Sequence, residues 1–242
     1  MSNRFYCPVP PQEGRFRLDV DESRHLLRVC RHQVGDRVAL FDGSGLSYVA
    51  RVVEIGKDAA WLEAEGGATA EPLPPCVIEI GTAAPKGDRF DWLVEKAVEL
   101  GVSRVEPLLT ERSVVDPRGS KLDRLRKTIV EASKQSGRSR LMDMGAPSRL
   151  KAFLERPEGR RLLADPAGEP PENWPSIARG EVVRLAVGPE GGFTEAEREL
   201  ALELGWLPIR LGPHILRIET AVIAGAAAIL SRRGLGEDQP VH

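Results

Sequence analysis

Lysine is scarce in this chain: of 34 basic residues only seven are lysine (57, 86, 96, 121, 127, 134 and 151), which leaves 27 arginines. Asparagine occurs only at Asn3 and Asn173. Few thermolabile amides fit a heat-adapted chain, and a GC-rich genome would also favour arginine. Cysteine is limited to Cys7, Cys30 and Cys76, odd in number and far apart. That excludes a disulfide framework and fits a reducing compartment. Aromatics make up 5% of the residues, so the core must be aliphatic and alanine-rich. No apolar run approaches the length of a membrane span, and no charged start followed by an apolar stretch reads as a signal peptide. The expectation is a soluble cytoplasmic protein. A formal net charge of −2 gives no bulk attraction to polyanions, so any basic surface must be local.

What is present suffices for one large or two ordinary domains: 242 residues, 41% of them hydrophobic. Residues 1 to about 70 read as small and β-rich. Val38–Phe41 and Leu46–Ile55 are strand-like across the turn Asp42-Gly-Ser-Gly45, and Ala59–Ala64 reads as the next strand. Ser23–Arg31 has a helical pattern, with Leu26, Leu27 and Cys30 on one side and Arg24, Arg28 and Arg31 on another. Short strands with tight turns and one helix suggest a small barrel. Gly66-Gly67 followed by Pro72, Pro74 and Pro75 marks the boundary, giving an expected division into residues 1–70 and 75–242.

Beyond Cys76, strands and helices alternate. Val77–Thr82, Val102–Leu109, Arg161–Ala164 and Val182–Val187 read as strands, and Phe90–Leu100 and Leu122–Ser136 as helices. A Pro/Gly-rich loop is expected from Pro166 to Gly180. The pattern predicts an α/β domain with a mainly parallel sheet covered on both faces. The last helix, about Arg217 to Arg232, has small residues on nearly every side. It either presses on the sheet or packs against a partner subunit as well.

Two glycine turns stand at the centre of this half. The first, Gly188-Pro-Glu-Gly-Gly192, joins the 182–187 strand to a helix whose start is marked by Thr194 and Glu197, a capping box. The second, in Ile209-Arg-Leu-Gly-Pro-His-Ile-Leu-Arg-Ile-Glu-Thr-Ala221, again joins a strand to a helix. Such junctions are where open α/β folds bind ligands, and two so close suggest one pocket. The first turn lacks the lysine and Ser/Thr of a P-loop and the spacing of a dinucleotide turn. Glu190 would repel phosphate, so an uncharged or cationic ligand suits it better. A plain strand–helix turn explains the same residues. Arg217 and Thr220 share a face of the last helix's start, with Glu219 beside them. His214 is either a base or a bystander.

Residues 118 to 140 carry eight basic side chains against Asp123 and Glu131. With Lys86, Arg89 and Lys96, and with Arg24, Arg28 and Arg31, they mark either solvated faces or a surface that tracks a phosphate backbone. His25, Cys30 and His32 lack the fourth ligand and the usual spacing of a structural zinc site, so no metal is expected. No Ser/His/Asp or Cys/His arrangement is recognisable.

The two glycine turns, Gly188–Gly192 and Leu211–Ala221, resemble the cofactor-binding end of the SPOUT (trefoil-knot) methyltransferases. The similarity is greatest to the bacterial enzymes that methylate N3 of a uridine in small-subunit ribosomal RNA. Lys86-Gly-Asp-Arg89, Lys96-Ala-Val-Glu-Leu-Gly101, Glu131–Arg138, Arg24-His-Leu-Leu-Arg28 and Phe41-Asp-Gly43 agree with the same family, so the resemblance spans most of the chain. One position departs: the family usually has arginine where His214 stands.

The resemblance implies a knotted C-terminal α/β domain binding S-adenosylmethionine, a PUA-like RNA-binding barrel at the N-terminus, and a homodimer. It implies cofactor contacts from Leu163, Val187, Gly188, Pro189, Glu190, Gly191, Gly192, Leu211, Gly212, Ile215, Leu216 and Thr220. RNA contacts are implied for Arg24, Arg28, Arg31, Lys86, Arg89, Lys96 and Arg138. Arg217 and Glu219 are the expected catalytic pair, with the proton acceptor open between Glu190, Glu219 and water. Two rivals stand beside this reading: a non-catalytic RNA-binding assembly factor, and an enzyme of the same fold acting at another RNA position.

Overall fold

In the computed structural model, residues 3–9 and 14–232 are described. The chain divides into two compact units. One is built from the segment up to Leu73 together with Ile129–Leu141, the other from Pro74–Thr128 and the chain from Met142 onward.

The first unit contains β1 (Arg4–Tyr6), β2 (Arg15–Arg17), α1 (Val20–Arg24), β3 (Arg37–Phe41), β4 (Leu46–Ile55), β5 (Ala60–Ala64) and β6 (Thr69–Ala70). The strands form one sheet in the order β1-β3-β4-β5-β2, with β6 paired to β4. Only the β1–β3 pairing is parallel. The two-residue period of strands turns Val38 and Leu40, Ala50 and Val52, and Ala60 and Leu62 inward, where they bury Phe5, Leu18 and Leu26. The expected helix over 23–31 is different in detail. Asp19 caps α1 by accepting the Asp21 amide at 2.8 Å, and the coil then widens into a π-turn over His25–Val29. Arg31 lies beyond it at φ 59, so Arg24, Arg28 and Arg31 do not share one α-helical face.

The return segment is tied into this unit by specific bonds. The Glu71 carboxylate accepts the Ser139 and Arg140 amides at 2.7 and 2.8 Å, and the Arg4 guanidinium donates to the Ser139 hydroxyl at 2.7 Å. Lys134, almost fully buried, pairs with Glu22 at 3.0 Å.

The second unit contains β7 (Val77–Thr82), α2 (Arg89–Glu99), β8 (Arg104–Leu109), the first half of α3 (Ser120–Ser136), β9 (Asp143–Met144), β10 (Ser148–Arg149), α4 (Leu150–Leu154), β11 (Arg160–Glu169), β12 (Val182–Val187), α5 (Glu195–Glu203), β13 (Leu207–Ile209) and α6 (Ile218–Ser231). Seven strands form one sheet, in the order β10-β8-β7-β12-β11-β13 with β9 on β8, and every pairing is parallel. The near-continuous apolar burial of Val183–Val187 is what a strand covered on both faces requires. β11 runs five residues further than the sequence suggests, to Glu169, and pairs with β13 across an irregular register. The stretch expected as loop from Pro166 is therefore strand at its start, and it buries Trp174 and Ile177 further on.

Gly81 sits in β7 because nothing larger fits. A Cβ there would lie 2.7–2.8 Å from the Phe153 ring and 2.9 Å from Leu108, both fully buried. Gly81→Ala should therefore destabilise the protein by about 1–3 kcal/mol, the usual cost of overpacking, although alanine normally suits a strand better than glycine. Chemical denaturation that finds the variant as stable as the parent would contradict this packing.

The α2–α3 contact within the second unit is fastened by Asp91, which takes hydrogen bonds from Arg124 and, at 2.7 Å, from Lys121. The Arg124 bond, and behind it Lys121, holds the Asp91 carboxyl at about 2, against an ordinary 3.8. Because the folded value is depressed, the stabilisation is complete above the unfolded value and is lost as pH falls through about 2. Asp91→Asn should flatten this part of the acid limb. Denaturation series from pH 5 to 2 should show the parent losing stability relative to the variant, and parallel curves would contradict the assignment.

Candidate functional site

Parallel pairing sends the carboxyl ends of β11, β12 and β13 to one edge of the sheet, and the segments that leave those ends surround a cavity of about 300 Å³. This is the edge at which open α/β sheets bind ligands. Ala164, Asp165 and Pro166 come from β11, Val187 to Phe193 from the end of β12, Ile209 from the end of β13, and Arg210 to Gly212 with His214, Ile215 and Leu216 from beyond it; Ile218 and Ala221 of α6 complete the wall.

The first glycine turn is rigidly built. The Gly192 amide donates to the Pro189 carbonyl at 2.8 Å, and Gly192 has φ 68, a conformation that glycine adopts without strain. A Cβ at Gly188 would come within 3.2–3.3 Å of the Phe193 ring. The capping box that follows is present as the sequence predicts: Thr194 Oγ1 accepts the Glu197 amide at 3.3 Å and the Glu197 carboxylate accepts the Thr194 amide at 2.9 Å. The other Glu197 oxygen accepts the Glu111 amide at 2.8 Å, and Arg112 next to it donates to the Gly191 carbonyl at 2.7 Å. The loop after β8 therefore braces the turn. Nothing in the spacing of the sequence signals this, because the partners are 86 and 79 residues apart.

The carboxylates in the wall, and Glu219 beside it, have cationic partners. Asp165 pairs with Arg198 at 2.7 Å and also accepts the Ala167 amide at 2.8 Å. Glu190 lies 3.8 Å from Arg89, whose other side is 3.7 Å from Glu219. Glu219 is 5% exposed, and its Oε2 is buried with no hydrogen-bond partner. An orphaned carboxylate oxygen is costly, so it is a place where a ligand or substrate donor would be accepted.

Most of the residues expected at the cofactor meet at this cavity: Val187, Gly188, Pro189, Glu190, Gly191, Gly192, Leu211, Gly212, Ile215 and Leu216 all line it. Ile215 is 84% exposed, an unusual position for a large apolar side chain in a protein without a bound partner. His214 also lines the wall. Leu163 and Thr220 are not among the lining residues. Leu163 is buried in the sheet core beside Ala186, and its neighbour Ala164 takes the lining position; Thr220 is exposed on α6. Arg217 is exposed at the N-cap position of α6, outside the wall, and its side chain makes no hydrogen bond or ion pair among the described residues. Asp165, Phe193 and Arg210 are further lining residues, and Arg198 is the partner of Asp165; Asp165 and Arg198 lie outside both glycine turns and give no sequence signal.

The residues expected to touch RNA fall in both units. In the first, Arg24 and Arg28 lie 3.5 and 2.6 Å from Asp58, Arg31 is exposed, and burial pushes the Arg138 guanidinium below its ordinary value. In the second, Lys96 is held between Glu95 and Glu99 at 2.8 and 2.7 Å, Arg89 is engaged as above, and Lys86 is exposed. Among the described residues, no group of three or more His, Cys, Asp or Glu side chains is placed to hold a metal ion. No helix among them is long and apolar enough to cross a membrane.

Comparison with known proteins agrees with both units. Residues 72–230 match the model of the RNA methyltransferase domain, and residues 18–65 that of the RNA methyltransferase PUA domain. The ribosomal RNA small subunit methyltransferase E of Synechocystis is 33% identical over 224 residues, covering 90% of this chain and 73% of that protein. The Bacillus subtilis protein of the same name is 29% identical over 227 residues, covering 88% and 89%. Among solved structures, ribosomal RNA small subunit methyltransferase E from Neisseria gonorrhoeae bound to S-adenosyl methionine superposes with a TM-score of 0.87 at 30% identity, over 97% of this chain and 99% of that one. The Legionella pneumophila putative methyltransferase with bound cofactor gives 0.87 at 29% identity, over 96% and 98%. The parallel α/β unit with its two glycine turns, the PUA domain before it and these likenesses over nearly the whole length agree: the chain belongs to the ribosomal RNA small subunit methyltransferase E family of SPOUT-type RNA methyltransferases.

Proposed function

We propose that this protein methylates N3 of a uridine in small-subunit ribosomal RNA, using S-adenosylmethionine bound in the cavity between the two glycine turns. The observation that carries the reading is the character of that wall. It is largely backbone and apolar side chain, it has no lysine, and its two carboxylates are Asp165 and Glu190. Such a wall rejects a triphosphate and suits an adenine face joined to a positive centre. The turns at Gly188–Gly192 and Leu211–Leu216 would hold the cofactor through backbone groups. S-adenosylmethionine supplies an electrophilic methyl group on a positively charged sulfur.

The protein's own residues have the remaining tasks. N3 of uracil is weakly acidic and lies in the base's pairing edge, so the base must be extruded and its proton removed or loosened. The negative charge that develops spreads onto the carbonyl oxygens. Arg217, exposed beside the cavity and uncommitted, is the donor we assign to those oxygens. Among the proton acceptors, Glu219 is favoured over Glu190 by its buried, unpartnered Oε2. His214 stands where the family usually has arginine and cannot replace a bidentate contact.

RNA would be held by the PUA-like domain, residues 1–70, together with basic residues of the methyltransferase domain, residues 75–242. Arg31 and Lys86 carry free charges for phosphate contact. Arg24, Arg28, Arg89 and Lys96 would have to exchange an acidic partner for a phosphate. None of the three cysteines is in a disulfide, which fits the cytoplasm, where the substrate is made. The reading includes the threaded C-terminal knot of the family and a homodimer. The face of α6 turned from its own core, Thr220, Ile223, Ala224, Ala227 and Leu230, is small or apolar and repeats at helical spacing, as a close helix contact requires.

Tritiated S-adenosylmethionine with small subunits lacking the modification should label one uridine at N3. Label on another atom or another RNA would replace the substrate named here. Arg217→Ala should reduce turnover by about 100-fold or more while cofactor affinity stays within about twofold; near-normal turnover would remove Arg217 from the mechanism. Sedimentation equilibrium should give twice the chain mass, and a monomer at micromolar concentration would remove the dimer.

A further inference from the structure

Not every charge on the cavity wall has a partner. Asp165 is matched by Arg198 at 2.7 Å, and Glu190 lies 3.8 Å from Arg89. Arg210 also lines the cavity, in the first position after β13. Its amide is spent on the Glu169 carbonyl at 2.8 Å, which fixes the main chain there. Its guanidinium makes no hydrogen bond, ion pair or ring contact among the described residues. Of the cations and anions on this wall, Arg210 is the permanent charge left without a partner; His214 is the other basic side chain present.

We propose that Arg210 is the anchor for the carboxylate at the amino-acid end of the bound ligand, making the cavity a two-part site: backbone and apolar wall for the nucleoside, a guanidinium for the carboxylate. The inference rests on the reading of the cavity as the S-adenosylmethionine site and adds a residue that was not among the expected cofactor contacts. A guanidinium is suited to the task because its planar fork meets both oxygens of a carboxylate. Anchoring on β13, at the point where the strand leaves the sheet, gives the long side chain a fixed base. The existing pairing of Asp165 and Glu190 matters as well: neither carboxylate is left free to capture Arg210 internally, so its charge is kept for the ligand.

The test compares two ligands that differ at this end. S-adenosylhomocysteine carries the carboxylate, and 5′-methylthioadenosine has the same nucleoside and sulfur without it. Both are titrated calorimetrically into the full chain and into R210A, R210Q and R210K. The expected result is a loss of roughly 10- to 100-fold in affinity for S-adenosylhomocysteine in R210A and R210Q, with 5′-methylthioadenosine unchanged within about twofold. R210K, which keeps the charge but not the fork, should fall between. Unchanged affinity for S-adenosylhomocysteine in R210A would overturn the assignment. So would equal losses for both ligands, which would mark Arg210 as part of the cavity's shape. If the unaltered protein bound neither compound, the proposed function itself would fall, a different outcome from binding that is insensitive to Arg210.

Discussion

The structure of the second unit depends on one constraint: β12 lies between β7 and β11, with β13 beyond, all parallel. Val187 stands opposite Thr82, Ala186 opposite Leu163, and Ala164 opposite Ile209. Parallel pairing leaves no freedom about where the chain emerges. Each of these strands must end at the same edge, and each must be followed by a segment that turns back. The turn after β12 has three glycines and the turn after β13 has Gly212, and all four line the cavity. The strand order also means that β12, late in the sequence, enters a place already bracketed by earlier strands. Burial on both faces then demands the mostly apolar run Val183–Val187, in which Arg184 is paired with Glu79, and the small residues of α6, whose Gly225 has the Leu185 side chain directly against it.

The site is held by polar interactions that cross long distances in sequence. Glu197 is a local cap for α5 and at the same time the acceptor for Glu111, and Arg112 grips the carbonyl of Gly191. A loop with three glycines cannot rely on its own side chains for rigidity. Its position has to be set by neighbours, here the loop after β8 on one side and Arg89 on the other. Arg89 is a case where a residue's surroundings change its meaning. As an isolated arginine near the start of α2 it reads as a phosphate contact. Between Glu190 and Glu219 its charge is already shared.

What was legible in the sequence followed from local physics. The capping box at Thr194, the apolar run 182–187 and the helix beyond Arg217 are local patterns, and the structure has all three. The cavity was legible because both of its walls are glycine turns at strand ends. Three features were hidden for physical reasons. Segment Ile129–Leu141 joins the first unit through the Glu71 carboxylate and Arg4, groups more than 60 residues away. The π-turn after α1 widens a helix whose sequence period looks regular, and it separates Arg31 from Arg24 and Arg28. β11 continues past Pro166 because β13 offers it a second set of bonds at Glu169, which no pattern within 160–169 encodes.

The acids in and beside the cavity differ in how their charges are met. A free carboxylate in the wall would capture any arginine within reach, and a free arginine would capture the carboxylate. Here Asp165 has Arg198, and a single arginine, Arg89, is shared between Glu190 and Glu219. Because the Arg89 contacts are long, at 3.7–3.8 Å, they leave Glu219 Oε2 with no donor in a buried setting. Two groups therefore stay without a hydrogen bond among the described residues: the buried Glu219 Oε2 and the Arg210 guanidinium. An unpaired buried acceptor costs stability that only a bound donor restores. That cost is carried at the first turn of the helix that follows Arg217, beside the wall of the cavity.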